Sequence, residues 1–120
     1  MLRTMLFAKI HQASVTERDL NYVGSISIDS DLLKATGMLV NEKVDIYNIT
    51  NGERFSTYIL EAEAGSGKIG LNGAAAHKVK LGDKVIIAAY CQLSERELAH
   101  HLPKIIVVND DKNLSWYIKE

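Results

Sequence analysis

Gly82-Asp83-Lys84-Val85-Ile86-Ile87-Ala88-Ala89-Tyr90 joins a turn dipeptide to an apolar run rich in β-branched residues, the pattern of a strand buried in a sheet. Upstream the theme repeats. Val44-Asp45-Ile46-Tyr47-Asn48-Ile49 alternates, Asn51-Gly52 is the strongest short hairpin signal, and Arg54 to Glu63 reads as the return strand. Residues 25–28, Ser-Ile-Ser-Ile, alternate again, and residues 5–16, with Ile10, Val15 and Thr16, predict a strand that breaks near His11. Gly65-Ser66-Gly67 predicts a turn, Lys68 to Leu71 a short strand, and Ile105-Ile106-Val107-Val108 a last one. Helical signals are short. Asp29 or Ser30 caps a helix through Leu32, Leu33 and Ala35 that stops at Gly37, and Ala74-Ala75-Ala76-His77 makes one helical turn. Ser94 caps a stretch from Glu95 to His101, with Glu97 placed for a capping box, and Pro103 ends it. Many short strands with glycine turns predict a mainly β sandwich or barrel, and closure into a small barrel removes exposed edges.

The chain has 120 residues, of which 47% are apolar, and this predicts one domain over residues 1–120. Fourteen Lys and Arg stand against fifteen Asp and Glu, a balance that lacks the basic footprint of a nucleic-acid partner. No apolar run reaches membrane-spanning length, so no membrane partner is expected. Cys91 is the only cysteine and reads as a small buried hydrophobe; no internal disulfide is possible, which suits a reducing compartment. Met1 to Met5 lacks the long apolar core of a signal peptide, and a cytoplasmic address is expected. His100 and His101, adjacent on a helix, point to different faces, a poor geometry for one metal, and no metal site is predicted.

Tyr22-Val23-Gly24-Ser25 falls between two predicted strands and has two readings. One is a plain turn with a serine after a glycine. The other is a self-cleavage site: a strained turn brings the serine hydroxyl onto the preceding carbonyl carbon and converts the Gly24–Ser25 amide to an ester. Elimination of the ester and hydrolysis of the resulting dehydroalanine then leave a pyruvoyl group and ammonia. Among the other polar residues, Arg54 and Lys9 read alone as solvated charges, Tyr58 as a packing residue and His77 as a loop-orienting group. A serine nucleophile partnered by His11 or His77 lacks the motif of a nucleophile elbow.

Several segments, in order, resemble the aspartate 1-decarboxylase family. They are Arg3-Thr4-Met5-Leu6 with Lys9 and His11; Tyr22-Val23-Gly24-Ser25; Asn48-Ile49-Thr50-Asn51-Gly52-Glu53-Arg54-Phe55-Ser56-Thr57-Tyr58; Asn72-Gly73-Ala74-Ala75-Ala76-His77; and Gly82-Asp83-Lys84-Val85-Ile86-Ile87. The likeness covers roughly residues 1–91, and its two long blocks make it specific. Tyr47 stands where some members carry tryptophan. The Gly-Asp turn and its strand also resemble an element of double-psi β-barrels. The resemblance implies a small double-psi β-barrel with a few short helices, assembled as a homotetramer with sites between subunits. It implies cleavage between Gly24 and Ser25 into chains 1–24 and 25–120, with a covalent pyruvoyl group made from Ser25 and no external cofactor or metal. Whether maturation needs a helper protein is not readable from the residues. The implied activity is decarboxylation of L-aspartate to β-alanine through a Schiff base, feeding pantothenate synthesis. Ser25 and Tyr58 are the implied catalytic residues, with Thr57 and Gly24 in self-processing. Arg54 and Lys9 bind substrate, and Asn72, Gly73, Ala74 and Ala75, with Thr57, line the site. Apart from the resemblance, His11 reads as a candidate hydrogen-bond donor to the Gly24 carbonyl in self-processing. The competing reading is a non-catalytic β-barrel module that binds a partner.

Overall fold

The computed structural model describes all 120 residues. Nine strands form one mixed sheet: β1 (Leu2–Ser14), β2 (Glu17–Asp19), β3 (Ser25–Asp29), β4 (Lys43–Asn48), β5 (Arg54–Ala62), β6 (Ile69–Asn72), β7 (Lys84–Ser94), β8 (Lys104–Val108) and β9 (Trp116–Lys119). The order across the sheet is β2-β6-β3-β5-β4-β7-β1-β8-β9, with parallel pairs β2/β6, β3/β5 and β1/β8. Helices are confined to α1 (Ser30–Thr36), a 3-10 turn at Gly73–Lys78 and α2 (Glu95–Leu98). This is the mainly β barrel with a few short helices that the sequence predicts. No helix is long and apolar enough to cross a membrane.

The core follows from the alternation. Ile10, Ile87, Ile46 and Phe55 are successive partners across β1, β7, β4 and β5, and the three isoleucines are fully buried. Directly paired residues share a face, so one strip of β-branched side chains crosses the sheet. On the opposite face the next row is Lys9, Ala88, Asp45 and Ser56. Ile26, Ile28, Ile59, Ile69 and Leu71 extend the core through β3, β5 and β6.

Buried polar side chains close the barrel. Asp29 caps α1 by accepting from Asp31 N at 2.8 Å, and also accepts from Gly65 N at 3.2 Å and Gly67 N at 2.8 Å. Asp83, from the Gly-Asp turn, accepts from Asn48 Nδ2 at 2.8 Å and Lys80 N at 2.9 Å, tying the β4–β5 hairpin to the start of β7. Thr16 N donates to Ile69 O at 2.9 Å, joining the end of β1 to β6. Buried Asn113 accepts from Ser14 N at 2.7 Å and donates to Ser14 O and Gly67 O, both at 2.8 Å. Each group satisfied this way avoids the ~1–3 kcal/mol cost of an orphaned buried polar atom.

The structure departs from expectation in several places, strands β2 and β9 among them. β1 begins at Leu2 and ends at Ser14 rather than spanning 5–16, while its break falls next to His11 as expected, at Gln12 with φ +64 beside a register shift between Ile10 and Ala13. Ser94 and Glu97 form the capping box, but α2 ends at Leu98 rather than His101. His101 turns back instead, its Nε2 donating to Leu6 O at 2.7 Å. Cys91 is half-buried rather than buried.

Candidate active site

The turn before β3 delivers Ser25 fully buried to the first position of that strand, opposite Asn72 of β6. Asn72 Nδ2 donates to Ser25 Oγ at 2.9 Å and to Ser27 Oγ at 3.2 Å, and the Ser25 hydroxyl donates to Val23 O at 3.3 Å. The serine therefore has its proton and one lone pair engaged, and its rotamer is set from both sides. Immediately after Asn72, Gly73 takes φ +65, and a Cβ there would stand 2.6 Å from Gly24 Cα and 2.8 Å from Tyr22 O. Only glycine allows this approach.

β5 runs parallel to β3, with Ile26 opposite Ile59. Continued two residues toward the N-terminus, that register sets Ser25 level with Tyr58 and Gly24 level with Thr57. Tyr58 pairs with Lys43 and Thr57 with buried Val44. Successive strand residues alternate faces. Tyr58 therefore lies on the Ser25 side of the sheet, and Thr57 on the core side.

Arg54 opens β5 on the same face as Tyr58, four residues earlier and thus ~13 Å along the strand. Its guanidinium lies over the Tyr47 ring, 4.2 Å from the centroid, an attractive cation–π arrangement. Arg54 takes part in none of the four ion pairs of the chain. The Tyr47 and Tyr90 hydroxyls are 2.8 Å apart, and Tyr47 Oη approaches Asp45 Oδ2 at 3.4 Å. Ser56 Oγ donates to Asp45 Oδ1 at 2.5 Å. The bond to Tyr90, then burial and the charge of Asp45, push the Tyr47 phenol up to about 12. Asp45, Tyr47, Arg54, Phe55 and Ser56 bound a cavity of about 220 Å³.

His11, on β1, pairs with Val107 of β8, and its Nδ1 is buried without a hydrogen-bond partner. Burial first, then the charges of Lys9 and Lys119, hold the imidazole below its ordinary value of 6.5. The unfolded chain thus binds this proton more readily than the folded one. The contribution of His11 to stability is full above about pH 6.5 and is lost as pH falls toward the lowered folded value. Melting temperatures measured from pH 7.5 down to 5 are expected to fall more steeply for the parent protein than for His11→Gln; equal slopes would contradict this.

The family model described as aspartate decarboxylase matches residues 1–115. The aspartate 1-decarboxylase of Staphylococcus aureus (strain bovine RF122 / ET3-1) is 58% identical over 120 residues, 100% of this chain and 94% of that relative. Those of strains JH9 and Newman are 57% identical with the same coverage. The chain belongs to the aspartate decarboxylase family.

One chain gathers Gly24, Ser25, Asn72 and Gly73, with Thr57 and Tyr58 on the neighbouring strand. Ala74, exposed, and Ala75, half-buried, follow on the 3-10 turn. Lys9 and His11 lie on β1, which is a ladder partner of neither β3 nor β6, and His11 Nδ1 has no hydrogen-bond partner; Arg54 is displaced along β5. Sequence reasoning missed Ser27, Val23 and Tyr90 as partners. The Ser25/Ser27 alternation carried a signal, since residues two apart share a face.

Gly73 yields a test of this packing. Gly73→Ala combines an unfavourable φ with collision against the Tyr22–Gly24 backbone, a change that costs more than about 1 kcal/mol. A lowered melting temperature is expected in thermal unfolding. A variant as stable as the parent would contradict the contact.

Proposed function

We propose that this chain is an aspartate 1-decarboxylase that cuts its own backbone between Gly24 and Ser25 and then converts L-aspartate to β-alanine and carbon dioxide. The observation that carries the reading is the seat of Ser25, whose buried hydroxyl is fixed by Asn72 while Gly73 presses on the residue before it. Family membership over nearly the whole chain supports the substrate.

In this reading Ser25 Oγ adds to the Gly24 carbonyl carbon, the Ser25 nitrogen departs, and an ester links Gly24 to Oγ. Thr57, level with Gly24, donates to the oxygen that gains charge. Loss of the Ser25 α-proton expels the Gly24 carboxylate, and water releases the nitrogen as ammonia, leaving a keto group on the blocked end of chain 25–120. The seat fits that group: its carbon skeleton is that of Ser25, its keto oxygen comes from water, and the Asn72 amide that held Oγ is left free to donate to an oxygen there. The pyruvoyl group supplies an electrophilic carbonyl for the substrate amine and a sink for the electron pair left when carbon dioxide departs. Tyr58, level with Ser25 and on its face, returns the proton to the carbon that lost carbon dioxide.

Arg54 and Lys9 hold substrate in this reading. The ~13 Å between Arg54 and Tyr58 along β5 exceeds the length of aspartate, and the guanidinium leans onto Tyr47 of β4. Both features favour a site shared between neighbouring subunits of a homotetramer, as do exposed Leu20, Tyr22 and Val23 beside Ser25. Cytoplasmic β-alanine supply to pantothenate synthesis completes the reading.

Arg54 anchors the retained side-chain carboxylate, with Lys9 as an auxiliary. Tight binding of the departing carboxylate would stabilise charge that disperses in the transition state, and so would oppose reaction. A guanidinium grips a carboxylate through two parallel bonds that an ammonium cannot reproduce. Arg54→Lys is expected to raise the KM for aspartate about tenfold, and more than it lowers kcat per processed site. A fall in kcat at unchanged KM would contradict the assignment, as would an aspartate-analogue complex with Arg54 on the α-carboxylate.

A further inference from the structure

We propose that Tyr90 is a positioning residue for Arg54: its hydroxyl fixes the Tyr47 ring on which the guanidinium rests, and thereby sets affinity for the side-chain carboxylate of the substrate. The proposal rests on the reading that Arg54 binds that carboxylate. Tyr47 pairs with Ile86 and Asp45 with Ala88 on β7, so continuing the register sets Tyr90 level with Lys43, four residues from Tyr47. The two phenols are not ladder partners, and their hydroxyls meet at 2.8 Å only because each ring leans along the sheet toward the other. Ala88 lies midway between them, fully buried, with only a methyl group to cover. A Tyr47 ring held in this way lies along the face and offers its π surface to Arg54 at 4.2 Å.

Without the Tyr90 hydroxyl, Tyr47 keeps only the long 3.4 Å approach to Asp45 Oδ2, on a carboxylate whose Oδ1 accepts from Ser56 at 2.5 Å. The ring then regains rotamer freedom, and Arg54, exposed and outside every ion pair of the chain, loses its platform. Ordering that guanidinium in advance spares the rotamer entropy otherwise lost when a carboxylate binds.

The test uses self-processed enzyme in four forms: parent, Tyr90→Phe, Tyr47→Phe and the double variant. Calorimetric binding of succinate, a dicarboxylate without the reacting amine, is measured beside aspartate kinetics. Tyr90→Phe is expected to raise the succinate Kd and the aspartate KM about five- to tenfold, the worth of a cation–π contact with one neutral hydrogen bond, with kcat per processed site within about twofold. Tyr47→Phe, which also loses the 3.4 Å approach to Asp45, should raise both at least as far, and the double variant should not exceed Tyr47→Phe, since either change removes the bond between the two hydroxyls. Unchanged Kd and KM in Tyr90→Phe, while Arg54→Lys raises both, would overturn the proposal and leave Arg54 as the anchor. Unchanged values in Arg54→Lys would overturn the anchor and the proposal with it. A fall in kcat at constant KM in Tyr90→Phe would also overturn it.

Discussion

Ser25→Ala is expected to remain one intact chain of 120 residues with no decarboxylase activity. The substitution removes only the Oγ atom, the atom that must attack the Gly24 carbonyl and later leave. No nearby hydroxyl is placed to substitute. Ser27 lies on the same face of β3 two residues on, its Oγ sharing the Asn72 amide, with its own carbonyl neighbour at Ile26. The fold should survive the change. Asn72 Nδ2 keeps Ser27 as an acceptor, and Val23 O loses one long bond of 3.3 Å. The cost is on the order of 1 kcal/mol, so a near-parental melting temperature distinguishes loss of chemistry from loss of structure. Cleavage or turnover by this variant would contradict the role of Ser25.

Tyr58→Phe is expected to cleave at nearly the parental rate yet lose about 10²- to 10⁴-fold in kcat, the usual contribution of a positioned acid. Thr57→Val should do the reverse, slowing cleavage by removing a donor from the ester-forming centre. The split follows from the alternation of β5. Tyr58 pairs with Lys43 on the Ser25 face, whereas Thr57 pairs with buried Val44 on the core side, level with Gly24. In the proposed reading one strand thus serves two steps from two faces. Turnover per processed site, with cleavage followed by gel, separates them. Parental kcat in processed Tyr58→Phe would remove the tyrosine from its role as acid.

Much of the fold is legible in local signals. Asn51-Gly52 turns β4 into β5, with Gly52 at φ +80. Asp29 and Gly37 bound α1, and Ser94 with Glu97 starts α2, because caps are satisfied within a few residues. What stayed hidden depends on distant partners. Short, exposed β2 pairs with β6 some fifty residues away. β9 exists only against β8, and Asn113 reads as a loop residue until Ser14 and Gly67 surround it. The same division holds at the site. The Gly24-Ser25 and Asn72-Gly73 segments were readable, but their mutual contact comes from the β3–β6 ladder. Tyr90 carried no local mark, since its partner lies 43 positions away.

Intact-mass spectrometry of the purified parent protein bears most directly on self-cleavage at Ser25. Two chains are expected: Met1 to Gly24, and a chain beginning at position 25 that is blocked to N-terminal sequencing and lighter by one ammonia than a hydrolysis product with an N-terminal serine. A single uncut chain that decarboxylates aspartate, or an active large chain still carrying an N-terminal serine, would contradict it.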